Sequence, residues 1–141
     1  MIVLDTKVVS ELMRRAPAAP VVRWIDGRAT GSLYTTAITH AEILHGIQLL
    51  PRGKRRDAIA AAASQMFEED FAGRVLPFAS DAASAYAEIA AARRRKGRPI
   101  SAFDAQIAAI TRAAGADLAT RNVDDFEGCG IDVIDPWESS T

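Results

Sequence analysis

MIVLDTKVVSEL, residues 1–12, is the stretch whose reading decides the fold. Ile2, Val3 and Leu4 form an uninterrupted apolar run, the composition of a strand buried on both faces. Asp5 and Thr6 follow at once, and a helical pattern begins at Val8. A carboxylate is thereby delivered to the carboxyl end of a buried strand. In open parallel sheets that edge is where ligands bind, because strand ends and helix starts converge there and no helix covers it.

Working outward, apolar runs alternate with helical periods. Pro17 and Pro20 introduce a second helix through Val21, Val22, Trp24 and Ile25. Leu33 to Thr36 reads as a second strand, and Thr39 is expected to cap a third helix carrying Ile43, Leu44, Ile47 and Leu50. Pro51 and Gly53 end it, and a long helix is predicted from about Lys54 to Phe71. Arg74 to Phe78 forms a short strand centred on Val75 and Leu76. Ser80 is expected to cap an alanine-rich helix through Tyr86, Ile89 and Ala92. Ser101 opens another helix with Phe103, Ile107 and Ile110 on its apolar side. Leu118 with Ala119, then Val133 with Ile134, supply the last strands. This alternation predicts an α/β fold with a central, mostly parallel sheet covered on both faces. No repeat or linker divides the chain, so residues 1–141 are read as a single domain.

Composition narrows the function classes. With 49% hydrophobic and 25% charged residues, the chain has the make-up of a globular domain, and no apolar run approaches the roughly 20 residues of a membrane span. Met1 opens directly into a strand, which predicts no signal peptide and, with a lone Cys129, a cytoplasmic protein without internal disulfides. The net charge of −1 argues against a general nucleic-acid coat. Local charge is uneven, however: Arg52, Lys54, Arg55 and Arg56 form one basic cluster, and Arg93 to Lys96 with Arg98 form another. Such runs are solvated helix ends or phosphate contacts.

Two helix starts share one pattern, Thr39-His40-Ala41-Glu42 and Ser101-Ala102-Phe103-Asp104. Each matches a capping box, in which hydroxyl and acid satisfy free amides. Both also begin near strand ends, so Glu42 and Asp104 are expected in the crevice that holds Asp5. Three ionised carboxylates there would repel one another, and a hard cation such as Mg²⁺, or Mn²⁺, compensates them through oxygen ligands and waters. The block Thr120-Arg121-Asn122-Val123-Asp124-Asp125-Phe126 follows the Leu118 strand to the same edge. Asn122 offers a neutral oxygen ligand or a water-orienting amide; Asp125 is the weaker candidate, as a turn former. His40 and His45 lie five apart and miss the i, i+4 pair of a zinc helix. Trp24 and Trp137 are read as core or subunit contacts rather than base-stacking platforms.

With these segments in view, the chain resembles the PIN-domain ribonucleases of the VapC toxin type, within the branch that includes the FitB-like proteins. The resemblance rests on the opening VLDT with VVSEL, on TTAITHAEILHGI, RPISAFDAQIAAI and LATRNVDDF, and on the ending VIDPW. It implies a three-layer α/β/α sandwich and a Mg²⁺-dependent endoribonuclease whose acids fall on Asp5, Glu42 and Asp104, with the fourth position on Asn122. Asp5 and Asp104 would ligate the metal, while Glu42 and Asn122 would hold waters or help a second ion when substrate is present. It further implies a homodimer and a cognate VapB-like antitoxin that inserts an Arg among the acids and alone reaches operator DNA. Two positions depart from the pattern: Asn122, often Asp in the family, and Lys7, typically Asn. Thr6, Lys7 and Arg98 are the candidate RNA contacts. A PIN scaffold that binds RNA or a partner without cutting it is the alternative. A phosphoryl-accepting receiver domain is disfavoured, because Asp5 stands alone after the first strand and no late lysine follows.

Overall fold

The structure is a computed structural model and describes residues 1–138. Five strands, β1 (Ile2–Leu4), β2 (Leu33–Thr36), β3 (Val75–Leu76), β4 (Asp117–Ala119) and β5 (Val133–Ile134), form one sheet in the order β3-β2-β1-β4-β5. Every pairing is parallel, with Val3 opposite both Tyr34 and Leu118. The chain therefore builds outward from β1 to β3 on one side, then crosses over to lay β4 and β5 on the other. The strand order reverses beside β1, so the topological switch point of the sheet lies at its carboxyl end.

Among the described residues six helices cover the two faces: α1 (Thr6–Leu12), α2 (Ala19–Asp26), α3 (Ala37–Gln48), α4 (Lys54–Gln65), α5 (Ser80–Arg95) and α6 (Ala102–Ala113). The pleat of β1 divides them. Val3 points into a cluster made by Ala82, Ala85 and Ile89 of α5 with Ile107, Ala108 and Ile110 of α6. Leu4 points the other way, into Val8, Val9, Trp24, Ile43, Ile47, Phe67 and Phe71. Val3, Leu4, Val8, Val9 and Trp24 are all fully buried, and each such side chain contributes about 1.5–3 kcal/mol. Two cores flanking one sheet make the three-layer α/β/α sandwich.

Several local expectations are corrected. The predicted helix from Lys54 to Phe71 is α-helical only to Gln65 and then widens into a π-helical turn at Met66–Asp70. The extra residue in that turn rotates Phe67 and Phe71 together into the core, where both are buried. The strand expected over Arg74–Phe78 pairs only at Val75–Leu76. Thr36, not Thr39, caps α3: its hydroxyl accepts from the Thr39 N–H at 3.1 Å. Ser80 is the first residue of α5 rather than its cap, which is Ala79. Leu44 and Phe103, expected on apolar faces, are exposed, and Leu50 lies beyond the end of α3.

Candidate active site at the carboxyl edge

Asp5 leaves β1 at the centre of the sheet. Its N–H donates to the Ala119 carbonyl at 3.1 Å, and the Leu4 carbonyl before it accepts from the Thr35 hydroxyl at 3.0 Å. These bonds fix the strand end, and Asp5 turns directly into the N-cap of α1, where Oδ1 accepts from the Val8 N–H at 3.1 Å. The residue is 4% exposed and has no ion-pair partner among the described residues. Burial pushes its pKa from 3.8 up to about 6, the Asp104 charge adds to that, and the Thr120 hydroxyl and the Val8 N–H pull the other way.

Asp104 sits in the first turn of α6, half-buried, behind the expected cap: the Ser101 hydroxyl accepts from the Asp104 N–H at 3.2 Å. Burial raises its pKa, the Ser101 bond lowers it, the Asp125 charge raises it, and Lys7 and Arg93 lower it. Asp5 and Asp104 thus act on each other as like charges, and Asp125 and Lys7 share that neighbourhood.

Glu42 is held differently. With the cap of α3 on Thr36, Glu42 lies in the second turn of the helix rather than in a capping box. The Thr6 hydroxyl donates to Glu42 Oε1 at 2.7 Å and lies 3.1 Å from the Thr39 hydroxyl, joining the starts of α1 and α3. Thr6, expected to touch RNA, is therefore first a tether for Glu42. Asn122 precedes the 3₁₀ turn Val123–Phe126 and is exposed; its N–H donates to the Thr120 hydroxyl at 3.1 Å, and its side chain makes no bond among the described residues.

The basic run before α6 splits in two. Arg93 is only 6% exposed and donates to the carbonyls of Arg98 at 2.7 Å, Asp125 at 2.7 Å and Glu127 at 3.1 Å. It clamps the loop that carries Asn122 and Asp125, and so is removed from the expected phosphate contacts. Its position was readable, since it extends the buried spacing of Ala82, Ala85 and Ile89. Arg98 stays exposed, paired with Glu127 at 3.0 Å. Lys7 is exposed on the first turn of α1. Thr120, fully buried at the end of β4 and facing Asp5, is the site residue that sequence reasoning did not single out. Its signal was a hydroxyl directly after an apolar strand that pairs with β1.

The set offers hard oxygen donors. Among the described residues no three Asp, Glu, His or Cys side chains come together as a ready-made cage. Mg²⁺ asks for less than that, one or two carboxylates completed by waters and phosphate oxygens. A buried carboxylate without a cation beside a second, half-buried one fits that demand. Next to it, a groove of about 1150 Å³ runs between α1, α3 and α4, with Thr6 and Glu42 lining one part of it. Met13, Ile43, Ile47 and Ile59 give it an apolar lining, and Arg14, Arg15, Lys54 and Arg55 add positive charge.

Comparison with known proteins places this geometry. The sequence profile of the PIN domain matches residues 2–128. The chain is 43% identical over 138 residues to the VapC ribonuclease Y4jK of Sinorhizobium fredii, covering 98% of this chain and 99% of that protein. It is 37% identical over 137 residues to the toxin FitB of Neisseria gonorrhoeae, covering 97% and 99%. The solved structure of FitAB bound to an IR36 DNA fragment superposes with a TM-score of 0.92 at 36% identity, covering 100% of this chain and 99% of that one.

Proposed function

Since the chain belongs to the PIN-domain family, we propose that it is a Mg²⁺-dependent endoribonuclease and the toxin of a toxin–antitoxin pair. The observation that carries this reading is Asp5: a buried carboxylate with no cationic partner among the described residues, facing Asp104 at the switch point of the sheet. Such a group is costly to fold around and is explained by what it holds.

Asp5 and Asp104 would hold Mg²⁺, or Mn²⁺, through carboxylate oxygens, with Asn122 and Glu42 contributing through water. A divalent ion there supplies charge neutralisation at a phosphodiester and an acidified water. The chain's own residues do the rest. Near neutral pH Asp5 is above its pKa of about 6 and therefore ionised. Thr6 fixes Glu42 through Oε1 and leaves Oε2 to orient a water. Lys7 and Arg98 stand exposed to draw in RNA phosphates; Arg98 gives up only a surface ion pair to do so, worth about 0–1 kcal/mol.

The partner follows from the same relatives. FitAB and the VapBC pairs are solved as complexes, some of them with DNA. We assign this chain a VapB-like antitoxin whose amphipathic, acidic segment fills the groove between α1, α3 and α4 and presents an Arg to the acids. Operator DNA would then be reached through the antitoxin.

A non-cleaving scaffold is the second reading, favoured by the Lys7 charge that acts on Asp104. One experiment separates the two. The purified chain is incubated with total cellular RNA in Mg²⁺ or in EDTA, and cut sites are mapped. Cuts that require Mg²⁺ and vanish in Asp104→Asn are expected; RNA left intact by the unmodified chain in Mg²⁺ and Mn²⁺ would establish the scaffold.

A further inference from the structure

The arginines around the carboxyl edge differ in their partners. Arg93 is committed to three carbonyls inside the fold, while Arg98 and Arg14 hold surface ion pairs with Glu127 and with Glu11, the latter at 3.3 Å. Arg121 is different. It is exposed, it follows the buried Thr120 that faces Asp5, and it forms no ion pair among the described residues. Its guanidinium sits over the ring of Trp137, 5.0 Å from the centroid.

That platform is itself fixed. Trp137 packs against the core cluster that contains Leu4 and Trp24, and its N–H donates to Asp135 Oδ1 at 2.8 Å. Glu11 feels the Arg121 charge, but its carboxylate is already taken up by the Ala18 N–H at 2.8 Å and by Arg14. A cation–π contact orders the guanidinium while leaving its edge donors available. A guanidinium ordered on Trp137, on the residue directly after the Thr120 that faces Asp5, presents a fork of donors chemically matched to a phosphate.

We propose that Arg121, steadied by Trp137, grips an RNA backbone phosphate flanking the one cut at Asp5 and Asp104. This rests on the ribonuclease reading. It also adds to Lys7 and Arg98 at an edge where Asp5, Asp104, Asp124 and Asp125 repel RNA. Trp137 is a positioning residue, since it acts only through Arg121.

The test measures binding of a fluorescein-labelled single-stranded RNA of mixed sequence, in Mg²⁺, across a range of salt. All variants carry Asp5→Asn to prevent cutting. Adding Arg121→Gln should weaken binding about tenfold and make the log–log salt slope shallower by about 0.7, the value of one phosphate contact on a single strand. Arg121→Lys should keep the slope and lose only part of the affinity. Trp137→Leu should likewise keep the slope while affinity falls. If Arg121→Gln changes only the melting temperature, Arg121 is a clasp for the C-terminal segment and the inference is overturned. If neither the Asp5→Asn chain in Mg²⁺ nor the parent chain, kept from cutting in EDTA, shows salt-dependent RNA binding, both this inference and the ribonuclease reading fail.

Discussion

The two ends of α1 each bury a carboxylate, and they bury them to opposite effect. At its start, Asp5 is 4% exposed with no ion-pair partner among the described residues, and its pKa rises to about 6. In its last turns, Glu11 is 6% exposed but accepts from the Ala18 N–H and from Arg14, and its pKa is lowered. Both are shielded from water, but Asp5 lies deep at the centre of the sheet and Glu11 close to the protein surface, so depth and partners together decide the difference. Glu11 is a stabilising residue that ties α1 to the loop before α2. Asp5 is a destabilising one at neutral pH, kept where the sheet presents it to a ligand.

Substitutions that exchange these roles should break the comparison if it is wrong. The largest effect belongs to the acid edge: Asp104→Asn should lower RNA cleavage about a hundredfold or more while leaving the melting temperature unchanged or raised, because it removes a charge that the site only strains to hold. Next comes Glu11→Gln, expected to cost about 1–2 kcal/mol in denaturant unfolding through loss of charge-assisted bonds and to leave cleavage intact. A lowered pKa means that the contribution of Glu11 is fully present above the usual 4.5 and is lost as pH falls through its folded value. The gap between the parent chain and Glu11→Gln should therefore close in acid.

Smaller changes sharpen the picture at the start of the helix. Thr6→Val releases Glu42 and should reduce kcat several-fold with KM nearly constant, if Glu42 acts on the reacting water rather than on binding. Lys7→Asn should move the cleavage rate least. Its clearest trace is in the pH profile: Lys7 lowers the pKa of Asp104, so its removal should shift the acid limb of the profile upward.

Much of this arrangement was legible because it is local. The run Ile2–Leu4 ending in Asp5 specified a buried strand with an acid at its end, and the alternation of elements specified the parallel sheet. The Ser101 cap and Asp104 were both readable from one tetrapeptide. What escaped depends on distant partners. Thr35, Thr36 and Thr39 are all candidate caps, and the pairing of Thr36 with Leu76 decides where β2 stops and α3 begins. Nothing local marks the π-helical turn, which exists to bring Phe67 and Phe71 into one core. Two of the three carbonyl acceptors of Arg93 lie on a loop more than thirty residues away. The contrast between Asp5 and Glu11 was invisible for the same reason: one acid caps a short helix and the other lies in its last turn, and only the fold sets their depth and supplies or withholds their partners.

The claim that Asp5 is held at a cost for the sake of chemistry is tested most directly by one variant measured twice. Moving its pKa from 3.8 to about 6 corresponds to about 3 kcal/mol, at about 1.4 kcal/mol for each tenfold change in proton affinity. The folded state holds this proton more tightly than the unfolded state, so stability should fall as pH rises from about 4 to about 6 and stay low above that. Unfolding free energies of the parent and Asp5→Asn chains are compared from acid to neutral pH in EDTA, and RNA cleavage is then assayed with Mg²⁺ restored. The account predicts that Asp5→Asn is more stable at neutral pH by up to about 3 kcal/mol, lacks the decline between those pH values, and no longer cuts RNA. A variant that is less stable at neutral pH than the parent, or that still cuts, would contradict it.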